Sequence, residues 1–288
     1  MSTQFSTQQL QYLVAANQAS TWTQAAKELQ VSLSALSQGI SELEKRIGMQ
    51  LFIQNGKTRK LNPEAKEVLE YATLVCTQTK DLDSWLQSKH NAEIGELNIG
   101  MIDAAAIHHF PTQLKAFKDS KPKINVGLTV GPSGDLLNKL KRGEIHLAII
   151  IKPDSVPEEI RVTELFDEPV GVYGPSQKTQ NIKSWGPWVS FPKGSHTRRL
   201  VASSLSQLGA EFNVVAESHQ PEVLKEMVNL GMGWAALPVS QAESGDNPLT
   251  RARKQPLCFR KLVCAERTSA ATNPLTKEFI ELIKLPKS

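Results

Sequence analysis

Thr21-Trp22-Thr23-Gln24-Ala25-Ala26-Lys27-Glu28-Leu29-Gln30-Val31-Ser32-Leu33-Ser34-Ala35-Leu36-Ser37-Gln38-Gly39-Ile40-Ser41-Glu42-Leu43 is the stretch that decides how this chain is built. Its first part predicts a compact helix, Thr23 to Leu29, with Ala25, Ala26 and Leu29 turned inward and Thr21 or Thr23 as its cap. Gln30-Val31 then makes a tight corner. Ser32 is the next N-cap, and Leu36, Ile40, Leu43 and Ile47 recur at helical spacing until Gly48 stops the helix. Upstream, Ser6 and Thr7 start a helix carrying Leu10, Leu13, Val14 and Asn17. Downstream, Leu51-Phe52-Ile53 followed by Gln54-Asn55-Gly56-Lys57 predicts a hairpin, because Asn-Gly accepts the backbone angles of a tight turn.

Residues 1–62 therefore read as three short helices and a small hairpin, the layout of a winged helix-turn-helix with its motif at about 22–41. With the apolar stripe of the third helix inward, Leu33, Ser34, Ser37, Gln38 and Ser41 form the outer face, small and polar enough to enter a DNA major groove. Gln can hydrogen-bond adenine through both ends of its amide, Ser can reach a base or a phosphate, and Leu33 can touch a thymine methyl. Thr23 and Gln24, at the start of the second helix, are candidates for positioning contacts to phosphate, and the N-cap residue Ser32 joins the DNA-binding set. Lys57, Arg59 and Lys60 are the corresponding wing residues. The plainer alternative is a solvated polar face and a solvated basic loop.

Asn62-Pro63 opens a second region. Asn caps, Pro takes the first helical position, and Glu64 and Glu67 suit the positive end of the helix dipole. Ala65, Val68, Ala72, Val75, Thr79, Leu82 and Leu86 then alternate spacings of three and four, a heptad seam that predicts a helix over 63–91 pairing with another copy of itself. From Ile94 the pattern changes to strands alternating with helices. Leu97–Met101, Ile124–Val130 and Leu147–Ile151 are β-branched runs separated by helical stretches at about 104–118 and 134–142. Val162–Phe166, Val170–Tyr173, Val189–Phe191, Val214–Glu217, Gly233–Leu237 and Phe259–Ala265 extend the series, with helices at Thr197–Leu208, Pro221–Leu230 and Pro274–Lys284. This βα alternation predicts an α/β domain with a parallel sheet.

Composition agrees with a globular chain of about two domains: 288 residues, 40% hydrophobic and 22% charged. The net charge of +4 is modest, but residues 1–62 hold six basic side chains against three acidic ones, a weak pointer to a phosphate partner. No apolar run is long enough to span a bilayer and no basic start precedes an apolar stretch, so no membrane partner and a cytoplasmic location are expected. Three cysteines cannot build a disulfide framework.

The residues are also similar to those of the LysR-type transcriptional regulator family. The similarity lies in Leu10-Gln-Tyr-Leu-Val14, Thr21-Trp-Thr-Gln-Ala-Ala26, Leu29, Val31-Ser32, Ala35-Leu-Ser37, Ile40, Leu43-Glu44, Gly48 and Leu51-Phe52. It continues in Gly95-Glu-Leu-Asn-Ile-Gly100, Leu140-Lys-Arg-Gly-Glu-Ile-His-Leu-Ala-Ile149 and Val228-Asn-Leu-Gly-Met-Gly-Trp-Ala-Ala-Leu-Pro238, covering nearly the whole chain. Two departures lie on or beside the expected reading face: Leu33-Ser34 stands where the family usually has Gln-Pro, and Gln38-Gly39 where Arg-Gln is frequent. Gly39 inside a helix costs about 1 kcal/mol relative to Ala.

The resemblance implies an effector domain over 92–288 with the periplasmic-binding-protein fold, made of two α/β subdomains, 92–166 with 266–288 and 167–265. The chain would cross between them near 165–168 and 265–268. A ligand cleft should lie at the strand ends and helix N-termini. That places Asp103 and Ala104, Ser133, Ser195, His196, Thr197 and Arg198, and His219 and Gln220 along it, with Lys152 nearby. His196, Arg198, His219 and Lys152 suggest an anionic small molecule. Arg198 could instead pair with a structural acid, and Asp103 could select an amine.

Other constellations carry less. His108-His109 has no partner at metal-ligand spacing and reads as surface or core histidine. Cys258 and Cys264 are too far apart along an extended strand for a disulfide, and Cys76 reads as a small buried residue. The four tryptophans beyond residue 62 look scattered. No catalytic motif is visible, so no enzyme activity, cofactor or metal is expected. The leading expectation is a homodimeric, further a tetrameric, regulator of an inverted-repeat operator on double-stranded DNA. The alternatives are an enzyme or solute-binding module with this fold, and a regulator that takes no effector.

Overall fold

The computed structural model describes residues 5–55, 58–90, 95–175, 181–268 and 273–284. The chain divides into two compact units, 1–86 and 87–288.

In the first unit, α1 (Thr7–Gln18) starts at a capping box: Ser6 Oγ accepts from the Gln9 N–H at 3.2 Å and Gln9 Oε1 accepts from the Ser6 N–H at 3.0 Å. Its buried face is Gln9, Leu10, Tyr12, Leu13 and Ala16; Asn17, expected on that face, is exposed because the stripe turns through Ala16 instead. Thr21, not Thr23, caps α2 (Trp22–Glu28). The corner after it is held by Gln30 at a positive φ of 56° and by the Val31 N–H donating to the Ala26 carbonyl. Ser32 caps α3 (Leu33–Ile47), which buries Leu36, Ile40 and Leu43 and ends at Gly48 with φ 72°, the left-handed turn glycine adopts freely. β1 (Phe52–Asn55) and β2 (Thr58–Leu61) pair antiparallel from Phe52↔Leu61 to Asn55↔Thr58. Glu44 Oε1 on α3 accepts from the Leu51 and Phe52 N–H groups, fastening the hairpin to that helix.

The long helix begins with a short turn, Pro63–Ala65, capped by Asn62, and continues as α4 (Lys66–His90). Its first half is not a separate linker. Ala65, Ala72 and Cys76 are buried with Leu10, Leu13, Leu43 and Leu51, and Leu69 packs against the same cluster. The expected seam therefore splits: Ala65 and Ala72 face inward, whereas Leu82 and Leu86, together with Tyr71 and Leu74, remain exposed along another stripe.

The second unit is built on a six-stranded sheet in the order β4-β3-β5-β10-β6-β9. These strands are β3 (Gly95–Met101), β4 (Ile124–Val130), β5 (Leu147–Ile151), β6 (Ile160–Tyr173), β9 (Ala235–Pro238) and β10 (Cys258–Arg267). β3 runs parallel to β4 and β5, but β10 is antiparallel to both β5 and β6, and β9 is antiparallel to β6. The sheet is thus mixed, not wholly parallel, because the chain passes between lobes along β6 and β10. Val162–Phe166 and Val170–Tyr173 are one continuous strand.

The first lobe packs α5 (Pro111–Ser120), α6 (Ser133–Lys141) and α10 (Pro274–Lys284) around Leu97, Ile99, Leu136, the β5 residues and Phe279. The second lobe adds the parallel pair β7 (Trp188–Ser190) and β8 (Val214–Glu217) with α7 (His196–Gln207), α8 (Pro221–Asn229) and α9 (Val239–Ala242). Three of the tryptophans meet there: Trp185 lies 6.4 Å from Trp188 and 5.9 Å from Trp234, centroid to centroid. The second crossing also comes earlier than expected. Leu262–Glu266 pair with β5, and Leu262–Ala265 are buried in the first lobe's core, so these residues belong to that lobe. Among the described residues, no helix is long and apolar enough to cross a membrane.

Candidate functional site

Two surfaces concentrate the sequence-predicted residues, one in each unit. On the first, α3 turns Leu33 (46% exposed), Ser34, Gln38 and Ser41 to solvent, with Ser37 half-buried. Ser32 Oγ is occupied in capping, accepting from the Ala35 N–H, and lies 2.9 Å from Ser34 Oγ. Gln38 Nε2 donates to Glu42 Oε1 at 3.1 Å, and Glu42 Oε2 accepts from Gln9 Nε2, so the Gln38 amide is oriented through α1. Thr23 and Gln24 are exposed at the start of α2, where Gln24 accepts from Ser20 and donates to Glu28.

Arg59 on β2 stacks over the Trp22 ring at 4.2 Å, and that ring meets Phe52 edge-on at 5.1 Å. The cation–π contact holds the guanidinium beside α3. A crevice of about 280 Å³ gathers Thr23, Leu33, Ser37 and Arg59, residues of three different elements. Lys60 is exposed on the same strand as Arg59; Lys57 lies outside the described residues.

Gly39 does not share the exposed face of α3. A Cβ there would stand 2.7 Å from Tyr12 Cε2 and closer still to Cδ2, so the glycine lets α1 and α3 approach through the Tyr12 ring. Sequence spacing held the signal, since Gly39 is next to the buried Ile40, but the size of its neighbour was invisible.

On the second unit, a cleft of about 310 Å³ opens between the lobes. Asp103, Ala104, Ser133, Ser195, His196, Thr197 and His219 line it. Lys152, Arg198 and Gln220 do not. Lys152 Nζ turns to Glu164 at 2.7 Å, and Gln220 is an exposed residue ahead of α8. Arg198 pairs with Glu217 and donates to the Phe191 carbonyl. Those cations already have acids, which removes much of the expected basic tendency.

The cleft also contains residues that sequence reasoning missed, chiefly Phe191, Lys193, Gln241 and Arg260. Arg260 lies on β10, a strand whose sequence pattern carries no site signal, and only folding brings it to the cleft. Its Nε and Nη2 both reach Glu168 Oε2 at 2.6 Å, and its Nη1 donates to Thr197 Oγ1. Glu168, 1% exposed, also pairs with His109 Nε2 at 2.6 Å and accepts from Ser240 Oγ at 2.7 Å. Burial alone would raise its carboxyl, but the His109 and Ser240 hydrogen bonds and the Arg260 charge outweigh it and hold the group at about 2. His109 reaches Glu168 from a single π-helical turn, Ala105–His109, a distortion often found at functional sites.

Asp103 behaves oppositely. Burial, reinforced by the Glu222 charge, raises its carboxyl above the usual value despite some help from Arg260. Burial also pushes His108 and His196 down, the second aided by Arg199. Beside this network, His109, Phe110, Phe166 and Ser240 border a second cavity of about 730 Å³. Among the described residues, no group of three potential metal ligands comes together.

Comparison with known proteins agrees with this geometry. Residues 7–66 match the family model "Bacterial regulatory helix-turn-helix protein, lysR family", and residues 90–285 match "LysR substrate binding domain". The HTH-type transcriptional activator IlvY of Salmonella typhimurium is 27% identical over 234 residues, 78% of this chain and 79% of that protein. A full-length OxyR from Pseudomonas aeruginosa has the same fold, with a TM-score of 0.71 at 22% identity over 98% of this chain and 99% of that one. Full-length CbnR, solved with its target DNA, gives 0.66 at 19% identity over 97% and 99%. The chain is a DNA-binding transcriptional regulator and belongs to the LysR family.

Proposed function

We propose that the outer surface of α3 enters a DNA major groove, with Leu33, Ser34, Ser37, Gln38 and Ser41 facing base edges. Ser32, Thr23 and Gln24 position the helix on phosphates, while Arg59, Lys60 and Lys57 supply the wing. The observation that supports this is the openness of α3: Leu33, Ser34, Gln38 and Ser41 are all exposed among the described residues of their unit. CbnR, a protein of the same fold, was solved with DNA. Two copies join along the exposed Tyr71, Leu74, Leu82 and Leu86 stripe of α4 and present paired reading helices to an inverted repeat; a pair of such dimers makes the tetramer.

The cleft lined by Asp103, Ala104, Ser133, Ser195, His196, Thr197 and His219 takes a small-molecule effector, and its occupancy shifts the balance between lobe arrangements. The chain acts by binding, in the cytoplasm, without catalysis. A regulator needing no effector would fit a cleft filled by its own side chains; the open 310 Å³ favours a ligand.

A gel-shift assay on the DNA flanking its own gene, repeated across salt concentrations, tests the DNA reading. Gln38→Ala should weaken discrimination at one base pair by about 1–3 kcal/mol, and Ser37→Arg should alter base preference. Stability should move by no more than about 0.5 kcal/mol in either variant. Unaltered preference in both would remove α3 as the reading element.

A further inference from the structure

Gln241 lines the cleft, is 4% exposed, and donates from Nε2 to Glu222 Oε1 at 3.3 Å. That bond fixes the amide's orientation, since the reversed amide would set its oxygen against a carboxylate. Gln241 Oε1 is then a buried acceptor with no hydrogen-bond partner among the described residues, a condition that native interiors rarely tolerate.

Asp103 lines the same cleft, half-buried, and has no ion-pair partner among the described residues. The nearby Arg260 is committed to Glu168 through two nitrogens, and Lys225 Nζ is turned to the Ser244 carbonyl. Glu222 adds a second negative charge within electrostatic reach of Asp103. Among the described residues, the cleft therefore holds a carboxyl without an ion pair and a buried carbonyl oxygen without a hydrogen bond; Lys193 also lines it, while Arg260 is bonded to Glu168 and Lys225 to the Ser244 carbonyl. Only a donor satisfies both groups, and a positively charged one satisfies them best.

We propose that the effector is a small molecule bearing a protonated primary amine, whose ammonium sits between the Asp103 carboxylate and Gln241 Oε1 and donates to both. This rests on the cleft being the effector site, and it replaces the anionic ligand expected from His196, Arg198, His219 and Lys152, of which His196 and His219 line the cleft. An ammonium has three N–H donors, so two can meet these groups while the third remains for solvent or the ligand's own acceptor. The first N–H groups of α7, at His196 and Thr197, lack partners within the helix and suit an acceptor at the other end of the ligand. An amino acid and a diamine share the amine and differ at that end.

Calorimetric titration of the full chain separates these outcomes. The probes are the protein amino acids, putrescine and cadaverine, with succinate, glutarate and sulfate as amine-free counterparts, all at millimolar concentration. At least one amine should bind saturably, with its deaminated counterpart silent; a requirement for the carboxylate marks an amino acid, and diamine binding marks the other source. Asp103→Asn and Gln241→Met should each weaken that binding about ten- to a hundredfold, with melting curves confirming that both variants fold. Binding of anions alone, weakened by His196→Ala, would overturn the amine and leave the cleft as the site. Amine binding untouched by both variants would place the amine elsewhere. Silence from every probe would overturn the amine and the cleft reading together.

Discussion

The α3 surface and the cleft assemble their chemistry in contrasting ways. The proposed reading face comes from one continuous stretch, Ser32 to Ser41, whose outward residues follow directly from where the apolar ones point inward. The cleft draws Asp103, Ser133, His196, His219, Gln241 and Arg260 from segments far apart in the chain. In the first case a side chain's exposure follows from its own helix. In the second, a charge contributes only after its partners are known, as the diversion of Arg198 to Glu217 and Lys152 to Glu164 illustrates.

The strongest way to break this contrast is at Glu168, on which the cleft's Arg260 depends. Glu168→Ala should destabilise the second unit by about 3–5 kcal/mol, because it leaves a buried guanidinium without its carboxylate; urea unfolding followed by tryptophan fluorescence measures it. The same pair carries a pH signature. With the folded carboxyl held near 2 against an ordinary 4.5, its stabilisation is present above about pH 4.5 and lost as the pH falls towards 2. A variant as stable as the parent, with an unaltered acid transition, would show that the pair does not hold the lobes.

A smaller effect sharpens the other side of the comparison. Gly39→Ala should raise helix propensity by about 1 kcal/mol, yet overpacking against Tyr12 costs about 1–3 kcal/mol. A net loss is expected, seen as a lower Tm, and Tyr12→Leu in the same chain should restore much of it. If Gly39→Ala alone raises Tm, the α1–α3 contact is looser than the Tyr12 ring implies. The least effect should come from Lys152→Ala, which removes an exposed partner of Glu164 outside the cleft. Effector affinity and Tm should both stay at the parent's values; a loss of affinity would return Lys152 to the site.

Legibility in the sequence follows the same division. Ser6, Thr21 and Ser32 cap helices through their own neighbouring N–H groups, and Ile124–Val130, Leu147–Ile151, Val214–Glu217 and Pro274–Lys284 occupy the spans their patterns predict, since each depends on local order alone. The direction of β10, the meeting of Trp185, Trp188 and Trp234, and the burial of α4's first half depend on distant partners and could not be read locally. Gln241 and Arg260 belong with these: nothing adjacent to either residue marks it as part of a cavity wall.

β6 and β10 stay paired from Cys258↔Val170 through Arg267↔Ile160, with a register irregularity between Leu262 and Val263. The passage between the lobes is consequently a two-stranded ribbon instead of a pair of free loops. Such a ribbon resists wide swinging but yields to torsion, most easily where its hydrogen-bond rhythm is already interrupted. On the proposed effector reading, a signal leaving the cleft would travel as a small rotation of one half against the other, with its sensitivity tuned at Leu262 and Val263, where the pairing is irregular.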